Sequence, residues 1–291
     1  MANLNAPPAD STKMKGLLAD QVTTDVGWYA PKPILHWPAR QLLEQYSGIH
    51  PSEMVDELIK FRDRAWNTYP FPCVGLFDFI DLALSTRNRL YPRLLYRLQA
   101  GATLLDIGCC LGQDIRKLVF DGVPAENVAG AELRQGFIDL GYELFRDKKT
   151  LASKMYQANV LDDSSVGPWP QLEGTFDVVN FSMVLHVFPR DEQISMFERG
   201  VKVLKTEKLG TTILGTACGG DEPSVEMWYG TPVMIHNPET FQKLIEEVGE
   251  KTGTKWKVEV ALDNYMSIWE PKFQWIGPTI RRLVWELTRV A

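Results

Sequence analysis

Apolar and polar positions alternate in two textures along the chain, and the change falls near Gly101. From Trp28 to about Arg97, apolar residues recur at helical spacing in short stretches separated by Pro31, Pro33, Pro38, Pro51, Pro70, Pro72 and Pro92. Proline lacks a backbone donor and ends or restarts a helix, so this segment reads as short helices without strands. Its clearest helix spans Ser52 to Trp66, with Met54, Val55, Leu58, Ile59 and Arg62 at helical spacing. Ser52, Glu53 and Asp56 resemble an N-terminal cap for it. Residues 1–25 are small and polar and cannot bury enough surface to fold alone, which predicts a flexible arm, with residues 26–100 as a helical lid or extension.

After Gly101, short apolar runs alternate with amphipathic segments, the pattern of βα units around a mostly parallel sheet. Strands are predicted at Thr103–Ile107, Val128–Glu132, Met155–Val160, Phe176–Phe181 and Thr211–Thr216, and helices start near Gly112, Gln135, Asp191 and Pro238. Two further runs, Lys257–Leu262 and Leu283–Val290, lack an intervening long helix and predict an antiparallel pair at one edge. Residues 101–291 therefore read as one α/β domain with seven strands.

The balance of 31 Lys and Arg against 37 Asp and Glu gives a net charge of -6, with no basic run to grip phosphates, which argues against a nucleic-acid partner. No apolar stretch reaches the roughly 20 residues that cross a bilayer, and the N-terminus lacks the apolar core of a secretory signal, so a cytoplasmic location is expected. Cys73, Cys109, Cys110 and Cys218 match neither zinc-ligand spacing nor a disulfide framework, so free thiols and no metal are expected.

The chemistry-bearing motif is Leu104–Asp114, an apolar strand that runs through Gly108, Cys109, Cys110, Leu111 and Gly112 into a helix. Glycine lets a turn adopt unusual dihedrals and lets a ligand approach the backbone. Glu132 ends the second strand about 20 residues after Gly112, where an acid can accept hydrogen bonds from ribose hydroxyls. Asp106 stands where a pyridine-nucleotide fingerprint opens with glycine, and an anion beneath a pyrophosphate would be repulsive. A cationic ligand suits the acidic strand ends better.

Asp106 to Gly112, Glu132, Asn159 to Asp163 and Asp177 to His186 resemble the successive motifs of class I S-adenosylmethionine-dependent methyltransferases. The resemblance implies a Rossmann-like seven-stranded, mostly parallel sheet with an N-terminal helical extension, and S-adenosylmethionine as cofactor. The strings GAELRQGFIDLGYELFRD and FDVVNFSMVLHVF, with the proline-rich helical N-terminus, resemble fungal methyltransferases that methylate carboxyl groups in meroterpenoid biosynthesis. Carried over, the resemblance puts Asp106, Gly108, Cys109 and Gly112 near the amino-acid end of the cofactor and Glu132 on the ribose. Leu133, Val160 and Leu161 then flank the adenine, Asn159 replaces an aspartate that usually receives its amino group, and Asn180 and Phe181 lie beside the methionine moiety. Cys110 replaces the middle glycine of the usual three.

His186 follows the fourth strand, where methyl acceptors approach, and reads either as an acid-base residue or as a satisfied core histidine; His236 and Asn264 are weaker candidates. Trp228, Tyr229 and Met234, in the long connection after the fifth strand, together with Trp28 and Tyr29 in the N-terminal segment, are candidates to enclose an apolar substrate. A carboxylate is already ionised near pH 7 and needs no base, so the absence of an evident catalytic dyad favours methyl-ester formation on an apolar carboxylic acid. Phenolic O-methylation, C-methylation and a non-methylating cyclisation or auxiliary role stay open, as does a homodimer.

Overall fold

The computed structural model of the chain describes residues 23–291 apart from 229–230, 267–269, 274–275 and 277, and describes no side chain for Arg87, Met227, Trp228 or Pro271. The arm expected over residues 1–25 therefore lies almost wholly outside the described residues.

A helical turn at Trp37–Gln41 continues as a π-type turn at Leu42–Tyr46, followed by helices α1 (Met54–Thr68) and α2 (Tyr91–Gln99). Then come β1 (Leu104–Ile107), α3 (Gln113–Phe120), β2 (Val128–Glu132), α4 (Gln135–Phe145), β3 (Lys154–Gln157) and β4 (Val178–Ser182). The chain finishes with α5 (Arg190–Val203), β5 (Thr212–Gly220), β6 (Ser224–Trp228), β7 (Thr231–Ile235), α6 (Pro238–Thr252), β8 (Trp256–Asp263) and β9 (Ile280–Arg289). Among the described residues no helix is long and apolar enough to cross a membrane.

Seven strands form one sheet in the order β3-β2-β1-β4-β5-β9-β8. The β2–β3, β1–β4 and β4–β5 pairs are parallel, whereas β9 runs antiparallel to both β5 and β8. This is the expected mostly parallel α/β sheet with an antiparallel edge. Every residue of β1, β2 and β5 is buried, as parallel strands covered on both faces require, while the edge strand β8 alternates half-buried and exposed positions. Strand β5 outruns its predicted end at Thr216 because β9 pairs with it as far as Gly220. Strand β3 stops at Gln157, short of the predicted Val160, because Asn159 turns the chain.

The chain divides into two compact units, Val22–Ala102 with Cys109–Gln157, and Thr103–Gly108 with Ala158–Ala291. In the first, α1 buries Met54, Leu58, Phe61, Ala65 and Trp66. It opens without a capping side chain, contrary to expectation, because the Ser52 hydroxyl pairs with His50 Nδ1 at 2.7 Å. In the second, Phe181, Phe197, Phe241 and Trp285 form an aromatic core, with ring centroids 4.9 to 6.2 Å apart along the chain of contacts. Helix α6 has every boundary signal its sequence carries: Asn237 accepts from the Thr240 amide at 2.9 Å, Pro238 opens the first turn, and left-handed Gly253 closes the last.

Candidate active site

The turn after β1 sets the geometry of the glycine motif. Gly108, Cys110 and Gly112 all take left-handed dihedrals, with φ of 79°, 53° and 70°. Cys110 thus adopts the conformation of the glycine it replaces, at a backbone cost of about 1–2 kcal/mol. A Cβ at Gly108 would lie 2.3 Å from Val184 Cγ2, and one at Gly112 would lie 2.6 Å from Arg116 Nη1 and 2.8 Å from Met155 Cε. Protein neighbours, not only a ligand, therefore demand both glycines. Cys109 is buried. Its sulfur packs in the first unit where a Gly130 side chain would otherwise be, and its amide donates to Ala131 O at 3.2 Å.

In the first unit Glu132 is buried at the end of β2. One carboxylate oxygen accepts from the Cys110 amide and the other from the Arg134 amide, both at 3.0 Å. Burial pushes its carboxyl pKa up, and the amide bonds pull it partly back. Each oxygen retains a lone pair, so the carboxylate is fixed beside the turn and still able to receive hydroxyls. Leu133 follows, half-buried. At the first position of α3, Gln113 Oε1 is buried with no hydrogen-bond partner among the described residues. A buried acceptor without a donor is costly, and a donor-rich ligand at this turn would satisfy it. The acceptor-rich set of Glu132 and Gln113 thus fits a ligand bearing ribose hydroxyls and an ammonium. Gln113 was missed in the sequence, although its place directly after Gly112 was the available signal.

In the second unit the β1–β4 register sets Asp106 opposite Asn180. Asn180 is 0% exposed; its Nδ2 donates to Asp106 Oδ1 at 2.7 Å and its Oδ1 accepts from the Ser182 hydroxyl at 2.8 Å. Asn180 thus orients Asp106. Phe181, on the opposite face of β4, is buried in the aromatic core. Asn159 turns its own loop, with Oδ1 accepting from the Leu161 amide at 3.0 Å, and Trp169 Nε1 donates to its carbonyl at 2.7 Å. Val160 is buried beside it.

His186 lies in a 3₁₀ turn, Leu185–Val187, and its Nδ1 accepts from the Cys218 amide at 3.2 Å. An amide only donates, so the ring proton is on Nε2. Burial lowers the pKa to about 4, which keeps the ring neutral. Gln193 on α5 staples this turn: its Nε2 donates to the carbonyls of Leu185 at 3.2 Å, Phe188 at 3.1 Å and Met234 at 3.0 Å. His236 pairs through Nε2 with Gln193 Oε1 at 2.8 Å, which makes it an anchor of that staple. Gln193 also escaped the sequence reading, although a glutamine sharing a helical stripe with Met196, Phe197 and Gly200 was a legible oddity.

The connection expected as a long loop is the β6–β7 hairpin. Met234 is half-buried on β7, while the Trp228 side chain and Tyr229 lie outside the described residues. Asn264 is exposed. Trp28 and Tyr29, expected in a lid, belong to a strap fastened within the first unit. The Tyr29 hydroxyl donates to Asp63 at 2.8 Å, its ring lies 3.8 Å from the Arg62 guanidinium, and Ala30 N donates to Gly75 O at 3.0 Å.

Residues 28–80 match the meroterpenoid methyltransferase N-terminal domain. The chain is 39% identical to O-methyltransferase phiE of a fungal species, over 81% of this chain and 79% of the relative. It is 38% identical to O-methyltransferase atr3 of Stereocaulon alpinum, over 91% and 76%. It is also 38% identical to the asnovolin E/chermesin D methyltransferase nvfJ of Aspergillus novofumigatus, over 76% and 80%. The chain belongs to the fungal meroterpenoid methyltransferase family. This methyltransferase superimposes on Haemonchus contortus phosphoethanolamine N-methyltransferase 2 with a TM-score of 0.51 at 16% identity, over 88% of this chain and 60% of the other. A Leishmania major S-adenosylmethionine-dependent methyltransferase gives 0.50 at 10% identity, over 79% and 82%. These two share the fold. Family membership makes the chain a methyltransferase, and its fold is the one seen in S-adenosylmethionine-dependent methyltransferases.

Proposed function

We propose that the enzyme forms a methyl ester on an apolar carboxylic acid of meroterpenoid type. The observation that carries this reading is the hydrogen bond from the Cys218 amide to His186 Nδ1. With Nδ1 held by the Cys218 amide and the proton on Nε2, the neutral ring donates a hydrogen bond and has no vacant nitrogen for a substrate proton. That suits an acceptor that arrives ionised, with pKa about 4, and not a phenol with pKa about 10.

When bound, S-adenosylmethionine supplies an electrophilic methyl group on a sulfonium. Glu132, held by two amides, would receive the ribose hydroxyls, and Gln113 Oε1 would accept from a ligand donor. Asp106, oriented by Asn180, would attract the α-ammonium, and Asn159 would receive the adenine amino group. His186 would orient the acceptor carboxylate for in-line attack. Met234 contributes apolar surface to the acceptor, with Trp228 and Tyr229 assigned there on sequence alone.

The reading is tested by incubating the enzyme with labelled S-adenosylmethionine and extracts of fungal metabolites, then identifying the methylated product by mass spectrometry. A label released by mild alkaline hydrolysis supports the ester. A product stable to that treatment overturns it in favour of phenolic or carbon methylation.

A further inference from the structure

The helical N-terminal segment ends its π-type turn at Tyr46, whose hydroxyl donates to Asp147 Oδ2 at 2.8 Å. Asp147 lies just after α4, and Arg116 grips its carboxylate with both arms, Nε to Oδ2 at 2.7 Å and Nη2 to Oδ1 at 2.9 Å. The remaining nitrogen, Nη1, donates to the carbonyls of Leu111 at 2.7 Å and Gly112 at 3.2 Å, the last two residues of the glycine turn. Arg116 is 1% exposed and its guanidinium lies 4.7 Å from the Phe145 ring centroid. The planar fork of arginine suits this task, because it serves a carboxylate on one edge and two carbonyls on another.

The surroundings pack closely against this turn. A Cβ at Gly141 would sit 2.1 Å from Leu111 O, so α4 closes on that oxygen, and a Cβ at Gly112 would strike Arg116 Nη1 at 2.6 Å. Immediately upstream, the Cys110 amide holds Glu132. The hydrogen-bonded line thus runs Tyr46, Asp147, Arg116, the carbonyls of the turn, and through Cys110 to the Glu132 carboxylate. Every member is in the first compact unit.

We propose that Tyr46 and Arg116 are positioning residues for the cofactor, acting through the shape of the glycine turn on Glu132, so that the N-terminal domain is part of the cofactor site's support. This rests on the assignment of Glu132 to the cofactor ribose. Tyr46 falls within residues 28–80, so the relay gives that domain a task in every turnover.

The test is calorimetric binding of S-adenosylhomocysteine to the full chain. Tyr46→Phe removes only the hydroxyl and is expected to raise Kd by about 3- to 10-fold, less than the full worth of a hydrogen bond to a charged group because the effect reaches Glu132 only through the turn. Arg116→Lys, which keeps the charge and loses the fork, should raise it more than about 10-fold. If Arg116→Lys does not fold, Tyr46→Phe decides alone. In a Glu132→Gln background the Tyr46→Phe effect should shrink to less than about twofold, since the relay acts through that carboxylate. A Tyr46→Phe protein that melts lower yet binds with the parental Kd, or one whose effect persists undiminished in the Glu132→Gln background, overturns the relay. If Glu132→Gln itself leaves Kd unchanged, the ribose assignment fails, a different outcome from failure of the relay.

Discussion

His186 and Asn180 show how single hydrogen bonds decide what a side chain in this site can do. Because the Cys218 amide claims His186 Nδ1, a glutamine there can still donate a hydrogen bond but cannot be a base, which the histidine is not either. His186→Gln is therefore expected to keep turnover within about tenfold of the parent, and loss of a working base would cost about 10²-fold or more. The same logic makes turnover on a carboxylate flat from about pH 6 to 9, since the lowered pKa of about 4 keeps the ring neutral throughout. A rise in turnover toward pH 10 would signal a phenol and sink the ester reading. Asn180 Nδ2 donates to Asp106 Oδ1, and both residues are buried. Asn180→Ala should destabilise the fold by about 1–3 kcal/mol, read from denaturant unfolding, through a buried carboxylate with one partner fewer. Of these residues, the identities of Asp106, Glu132 and His186 were legible in the sequence because strand ends and spacing point to them. Their protonation and orientation were not, because the partners that set both, Asn180 apart, are backbone amides. Asn180 and Phe181 show the limit well: adjacent in sequence, they face opposite sides of β4, Asn180 toward Asp106 and Phe181 into the aromatic core.

Elements were legible where several local signals agree. Strand β2 was predicted to the residue, and α6 starts at Pro238 as its cap demands. The β6–β7 hairpin was not found, since Cys218 to Met234 has glycines and aromatics but no clean alternation, and β5 extends into it by pairing with β9, a contact distant in sequence. That hairpin and the His186 turn meet at Gln193, which serves carbonyls from both. Gln193→Leu is of similar size and removes every one of those donors, leaving buried carbonyls unmatched. It should lower stability by about 2–4 kcal/mol and reduce turnover at saturating cofactor, with little change in cofactor Kd. A variant that loses stability while keeping full turnover would show that the staple supports the fold and not the acceptor turn.

For the whole molecule, the two buried histidines give stability a pH dependence with a definite sign. Burial lowers the pKa of both His186 and His236 to about 4, against an unfolded value of 6.5. Above pH 6.5 neither state binds these protons and the full stability is present. Between 6.5 and 4 the unfolded chain takes them up while the folded one does not, so stability falls as pH falls. Each histidine contributes a slope of up to about 1.4 kcal/mol per pH unit in that window. Glu132 and Glu192, whose carboxyls burial raises, act in the opposite sense and flatten the parent's curve. Their effect cancels in a comparison of parent with His236→Gln, in which glutamine can still donate to Gln193 Oε1. The variant's unfolding free energy, measured in denaturant from pH 7.5 down to 4.5, should fall less steeply than the parent's by about 1.4 kcal/mol per unit below pH 6. Parallel curves would mean that His236 is protonated in the folded state as readily as in the unfolded one, and the Gln193 staple would then have to be held by an imidazolium.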